Sequence, residues 1–216
     1  MVFDVIDAPQ RSPEWRAARA GRLTGSMAAR ILMKGKAGKE SVMRRDYLLQ
    51  LVAERISGES QENFFTTADM QRGIDLEPRA FAAYEASTGE LVERTGFLSC
   101  RDAMMGCSLD GHIGNYVGII ELKCPKLATH LSYWEDSSQL IDEYRAQVMH
   151  NLLVSGAHWC DLISFDDRVP KRLQLLCVRV PATEAALSEY AGAAAKFLKE
   201  VEAYHAMIMR NSEAAA

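Results

Sequence analysis

No stretch of this sequence approaches the roughly 20 apolar residues a membrane span requires, and the opening MVFDVIDAPQ lacks the layout of a secretion signal. The five cysteines (Cys100, Cys107, Cys124, Cys160 and Cys177) are odd in number and never arranged as CxxC. That pattern excludes a zinc ribbon and fits reduced, mostly buried thiols in a cytoplasm. An iron–sulfur cluster would need four suitably spaced thiolates, which this spacing does not supply. His112, His130, His150, His158 and His205 show no metal-ligand spacing, and Cys107 and Cys124 lie in apolar runs with no evident base. Internal repeats are absent as well. What is present, 48% hydrophobic and 25% charged residues, matches a globular protein of the cytoplasm. A chain of 216 residues is expected to form one domain over residues 1–216. A chain of this size buries roughly 70% of its unfolded surface, enough to fold without a staple.

The net charge of −4 taken alone argues against a nucleic-acid partner. Its distribution argues the other way. From Arg11 to Arg45 ten basic residues stand against two acidic ones, a local +8 that leaves −12 for the remainder. Such a segment is either a solvated helix face or a field that steers a polyanion.

Ser12-Pro13-Glu14 reads as an N-cap and first helical proline, opening a helix to about Ala20. Thr24-Gly25-Ser26 opens a second helix toward Met33, followed by a basic loop from Lys34 to Lys39. Helical spacing resumes from Val42 to a C-capping Gly58, and again from about Thr67 to Ser87. The period then changes. Residues 97–100, 103–108 and 116–124 are short apolar runs divided by Asp, Gly and Asn, as in a β-meander. A helix over 142–154, strands over 158–165 and 172–180, and a last helix over 182–210 follow, with an unstructured Ala-rich tail. The order predicts an α/β fold, a central mixed sheet of about five strands flanked by helices.

Gly118-Ile119-Ile120-Glu121-Leu122-Lys123-Cys124-Pro125 embeds two charges in an apolar strand, and alternation puts Glu121 and Lys123 on one face. Buried charges are costly unless paired or metal-bound. The two are therefore either a structural ion pair or, with Asp110 in the preceding turn, part of a divalent-metal site beside a reacting phosphate.

Asp110, Glu121 and Lys123 have the spacing Asp–(ten residues)–Glu-X-Lys. Around them stand, in order, Trp15-Arg16-Ala17-Ala18-Arg19, Leu23-Thr24-Gly25-Ser26, Arg72-Gly73-Ile74-Asp75-Leu76-Glu77-Pro78, Cys107-Ser108-Leu109-Asp110-Gly111 and Tyr144-Arg145-Ala146-Gln147-Val148. The ordered set resembles the YqaJ-type viral recombinases, the phage lambda exonuclease family of the PD-(D/E)XK nuclease superfamily. The resemblance is strongest over about residues 12–155 and implies a restriction-endonuclease-like core.

The resemblance also implies roles. Asp110, Glu121 and the carbonyl of Leu122 would hold one Mg²⁺, and Glu77 would join Asp110 around a second, with Mn²⁺ as a substitute. Lys123 would stand by the scissile phosphate, orienting or deprotonating water and offsetting charge. Arg19, Ser26, Ser108 and Gln147 would bind a terminal 5′-phosphate. Lys36 falls where the family has an arginine tracking the DNA backbone, and Met70 where it has a leucine wedge that parts the strands. The activity implied is a processive 5′→3′ exonuclease on double-stranded DNA ends that releases mononucleotides and leaves 3′ single-stranded tails for recombination. The family forms a homotrimeric ring and works with a single-strand annealing protein. A structure-specific or restriction-type endonuclease on the same core, and a non-catalytic DNA-end-binding protein, are the alternative functions.

Overall fold

The computed structural model describes residues 2–35, 39–61 and 67–214. Strand β1 (Phe3–Ile6) leads to helix α1 (Pro13–Arg19), whose N-cap Ser12 accepts a hydrogen bond from the Trp15 amide. Gly21 then turns the chain at φ 69°, where a side chain would be strained and its Cβ would meet Arg55 Cγ at 2.6 Å. Next come the two-residue strand β2 (Leu23–Thr24), a 3₁₀ turn (Gly25–Met27) and the short helix α2 (Ala28–Leu32). Helix α3 (Val42–Ser57) ends at left-handed Gly58, and α4 (Ala68–Thr88) runs from N-cap Thr67 to left-handed Gly89.

The meander follows as β3 (Phe97–Cys100), β4 (Met105–Ser108), β5 (Gly111–Ile113) and β6 (Gly118–Lys123). Helices α5 (Leu127–Glu135) and α6 (Ser138–Ser155) cross over to β7 (Trp159–Phe165). A single helical turn, α7 (Lys171–Gln174), precedes β8 (Leu175–Pro181), and α8 (Glu184–Ala214) closes the chain.

The strands form two four-stranded sheets rather than one of about five. The order β1-β3-β4-β2 is antiparallel except for β2 beside β4, and the order β5-β6-β7-β8 is antiparallel except for β6 beside β7. The division falls at Leu109-Asp110, the two residues between β4 in the first sheet and β5 in the second. Strands β1, β2 and β5, of two to four residues, are too short to leave a readable alternation. Two further expectations change. Helix α5 had no counterpart in the sequence reading, and α8 continues past Arg210 through Asn211, Ser212 and Glu213 to Ala214.

Strand β6 separates two layers of core. Ile119 packs toward α3, α6 and α8 with Leu48, Val148, Leu152 and Phe197, whereas Ile120 packs toward α4 with Leu76, Phe81 and Tyr84. Alternation then directs Glu121 and Lys123 to the α6 side and Leu122 to the α4 side. Helix α6 is fastened to β4 by buried His150, which joins the Gly106 carbonyl at 3.0 Å and the Tyr190 hydroxyl at 2.9 Å. Among the described residues no helix is long and apolar enough to cross a membrane.

Helix α8 contributes Tyr190, Ala194, Phe197 and Val201, one buried stripe at helical spacing. Fully buried Phe197 stacks on Tyr47 of α3 with ring centroids 5.6 Å apart. Phe197→Ala should cost about 3–5 kcal/mol in denaturant unfolding, against less than about 0.5 kcal/mol for exposed Met207→Ala.

Candidate active site

Glu121 is 2% exposed, and its carboxylate accepts three hydrogen bonds. Lys123 Nζ and Gln147 Nε2 donate to Oε1 at 2.6 and 2.7 Å, and Asn151 Nδ2 donates to Oε2 at 2.8 Å. Gln147 and Asn151 are one turn apart on α6, so a single helix face presents both amides. Lys123 also donates to Gln147 Oε1 at 3.2 Å and lies over the Tyr144 ring at 4.5 Å. Burial alone would depress the Lys123 ammonium, but the Glu121 and Asp110 carboxylates beside it outweigh that and raise it. Lys123 is therefore a cation at neutral pH.

Asp110 accepts a hydrogen bond from the Leu122 amide at 2.6 Å, which ties the seam between the sheets to β6. Burial, and then the nearby Glu121 charge, push its carboxyl up to about 7 against the opposing pull of Lys123. Glu77, on α4, is paired with Arg94. The same guanidinium donates to the Asp110 carbonyl at 3.1 Å and lies over the Phe81 ring at 4.1 Å. Asp110, Leu122, Lys123 and Glu77 line one cleft of about 450 Å³. Met70, half exposed near the start of α4, stands on its wall.

A second cluster adjoins the first along β4. Arg19, 7% exposed, lies over the Trp15 ring at 4.2 Å and donates to Ser26 Oγ at 3.5 Å. Trp15 Nε1 donates to Ser108 Oγ at 2.9 Å, and Ser108 is two residues from Asp110. Arg19, Ser26 and Ser108 thus come together through Trp15 as a basic, hydroxyl-bearing cluster near Asp110. Gln147, expected with them, instead bridges Lys123 and Glu121. Lys36 lies outside the described residues.

Four neighbours of the site carried no assigned role in the sequence reading. Trp15 stood inside a quoted motif, and Asn151, four residues beyond Gln147, shares its helix face. Tyr144 also lay in a motif. Arg94 comes from an irregular segment with no periodic signal. Burial pushes the Cys107 thiol far up and the Cys124 thiol to about 11, so both stay protonated at neutral pH.

The donors suit a hard divalent cation: two carboxylates, one of them forced toward neutrality by its surroundings, with the Leu122 carbonyl directly after Glu121 in sequence. Among the described residues no three Asp, Glu, His or Cys side chains already converge on one point. Lys123 and Arg94 hold Glu121 and Glu77 instead. A cation would exchange with these side chains and complete its shell with backbone, water or phosphate oxygens.

This is the fold of the alkaline exonucleases. LHK-Exo from Laribacter hongkongensis, an alkaline exonuclease, is 34% identical with a TM-score of 0.83, over 95% of this chain and 100% of that one. A structure of LHK-Exo in complex with dAMP aligns at 33% identity and a TM-score of 0.84 over the same shares. A phage-related exonuclease from Haemophilus somnus 129PT, 12% identical over 87% of this chain and 96% of that one, shares the fold at a TM-score of 0.69. The chain belongs to the family of the YqaJ-like viral recombinase domain, which it matches over residues 14–158. No curated protein matches it significantly.

Asp110 also sets a pH test. Its carboxyl is raised by folding, so the stability it contributes is full below about pH 4 and is lost as pH rises through about 7. In EDTA, wild type should lose thermal stability relative to Asp110→Asn between pH 5 and pH 8. A wild-type–variant difference that stays flat over this range would show Asp110 to be an ordinary solvated carboxylate.

Proposed function

We propose that this protein is an Mg²⁺-dependent exonuclease acting 5′→3′ on double-stranded DNA ends. On this reading it releases mononucleotides processively and leaves 3′ single-stranded tails for recombination. The observation that carries the proposal is the adjacency, along β4 and β6, of the carboxylate centre to the Arg19–Ser26–Ser108 pocket. A pocket for a terminal phosphate beside a hydrolytic centre suits an enzyme that counts from an end. The dAMP held by LHK-Exo, a nucleoside monophosphate, supports release of mononucleotides.

Asp110, Glu121 and the Leu122 carbonyl would hold one Mg²⁺, and Glu77, freed from Arg94, would share a second with Asp110; Mn²⁺ has the same donor preference. Bound there, such ions supply Lewis acidity and a more acidic water. The chain's own groups do the rest. Lys123, kept cationic, faces the cleft where a scissile phosphate would lie and offsets charge that develops on it. It could accept a proton only after Glu121 and Asp110 are neutralised, because their charges are what raise it. Arg19 offers a fork of donors matched to a phosphate and is held flat by Trp15, so little freedom is lost on binding. On the same reading Met70, at the cleft wall, would act as an apolar wedge between the strands, and Lys36 would contact the DNA backbone.

A homotrimeric ring, closed by a head-to-tail interface, would reconcile the acidic net charge with a basic channel and account for processivity. A single-strand annealing protein is the proposed partner.

Linear and covalently closed circular duplex incubated with Mg²⁺ provide the test. The proposal requires the linear form to be degraded and the circle spared; nicking of the circle would make the protein an endonuclease, and no cleavage of either a binding protein. Asp110→Ala should abolish cleavage while DNA binding persists. The phosphate pocket has a sharper signature. Charge-assisted contacts are worth roughly 1.5–3 kcal/mol, so wild type should favour 5′-phosphorylated over 5′-hydroxyl ends by about ten- to a hundred-fold. Arg19→Ala should collapse that preference by slowing the phosphorylated end alone. Equal slowing of both ends would assign Arg19 to general backbone binding.

A further inference from the structure

Asn151 is 1% exposed and orients its amide in one way only. The Glu121 carboxylate accepts but cannot donate, so Nδ2 must face Oε2, where it donates at 2.8 Å. Oδ1 is thereby turned away, buried, and accepts no hydrogen bond. It points at Gly25. A Cβ built on Gly25 would meet Asn151 Oδ1 at 2.3 Å, Cγ at 3.3 Å and Nδ2 at 3.6 Å, and these are its three nearest neighbours. Gly25 has no positive φ, so the backbone itself does not call for glycine there. The residue that does is Asn151. Gly25 also opens the 3₁₀ turn that carries Ser26, the partner of Arg19. A desolvated carbonyl left unpaired and a glycine kept for its sake are two costs borne at one point.

We infer that Asn151 is a positioning residue that fixes the Glu121 carboxylate and, by its contact with Gly25, couples it to the phosphate-gripping turn. The inference rests on the proposed reading of Glu121 as a metal ligand. Gln147 and Asn151 hold one carboxylate oxygen each, so Glu121 cannot rotate while both amides are in place. A displacement of the Gly25–Met27 turn by a bound terminal phosphate would press on the Asn151 amide and through it on Glu121. Metal affinity and phosphate recognition would then share a mechanical element although no residue belongs to both.

The experiment is a double-mutant cycle on the full chain, read by Mn²⁺ binding (electron paramagnetic resonance, without DNA), by thermal unfolding, and by the rate ratio on 5′-phosphorylated and 5′-hydroxyl ends. Asn151→Ala should weaken Mn²⁺ binding by about ten-fold or more, the usual effect of removing a ligand's supporting hydrogen bond. Gly25→Ala should act in the same direction, because its methyl displaces the amide. The double variant should be no worse than Asn151→Ala, since the methyl then has no amide to strike. The end-preference ratio should fall in both single variants, which a merely structural role would not produce. If Asn151→Ala fails to fold, Asn151→Leu keeps the volume without the donor and should show the same loss of Mn²⁺ affinity. Additive losses in the double variant, an unchanged end preference, or Mn²⁺ affinity within two-fold of wild type would overturn the coupling. Glu121→Ala separates the two levels. If it loses Mn²⁺ while the Asn151 variants do not, only the coupling fails; if it binds Mn²⁺ normally, the metal reading fails and takes the coupling with it.

Discussion

A carboxylate buried in an apolar sheet is the constraint around which this molecule is arranged. Glu121, 2% exposed, cannot remain charged there without donors on both oxygens. The donors come from two directions: Lys123 from the same strand face, and Gln147 and Asn151 from one face of α6. That requirement fixes the rotation of α6 over β6. His150, on the same helix, meets β4 through the Gly106 carbonyl, so the helix that satisfies Glu121 also braces the strand leading to Ser108 and Asp110. Replacing a buried ion pair by well-packed apolar residues is often neutral or stabilising by about 1–4 kcal/mol. Its presence in the core therefore points to chemistry rather than stability.

The seam between the two sheets matters for the same reason. Asp110 lies where the chain leaves one sheet for the other, and a residue at such a break can face a cleft while its carboxylate still takes an amide hydrogen bond from Leu122. Asp110 and Glu77 border one cleft with Lys123, buried Glu121 lies behind Lys123, and Lys123 and Arg94 pair with Glu121 and Glu77.

Much of this was legible in the residues. The Ser12 cap marked α1 and the Gly58 stop marked α3, because capping is a local interaction that a short window contains, and helical spacing marked α4. That Glu121 and Lys123 share one face followed from strand alternation alone. The division into two sheets was not legible, because two residues at 109–110 decide it and strands of two to four residues have no period. The motif assigns Gln147 to the phosphate pocket; its contacts with Lys123 and Glu121 depend on the rotation of α6, which no sequence pattern contains. Arg94 was invisible: its partners Glu77 and Asp110 are distant in sequence and no pattern links them. Asn151 left a trace, four residues beyond Gln147, that becomes meaningful only once the helix is seen to face β6.

The central claim is that Glu121 and Asp110 form a charge-bearing site held open for a divalent cation by Lys123 and Arg94. A crystal structure of the full chain grown with Mn²⁺, read by anomalous scattering, tests it most directly. The account predicts a peak bounded by Asp110, Glu121 and the Leu122 carbonyl, with the Lys123–Glu121 contact lengthened and Arg94 withdrawn from Glu77. Mn²⁺ bound elsewhere, with both ion pairs intact at saturating metal, would contradict it and leave Glu121–Lys123 as a structural pair.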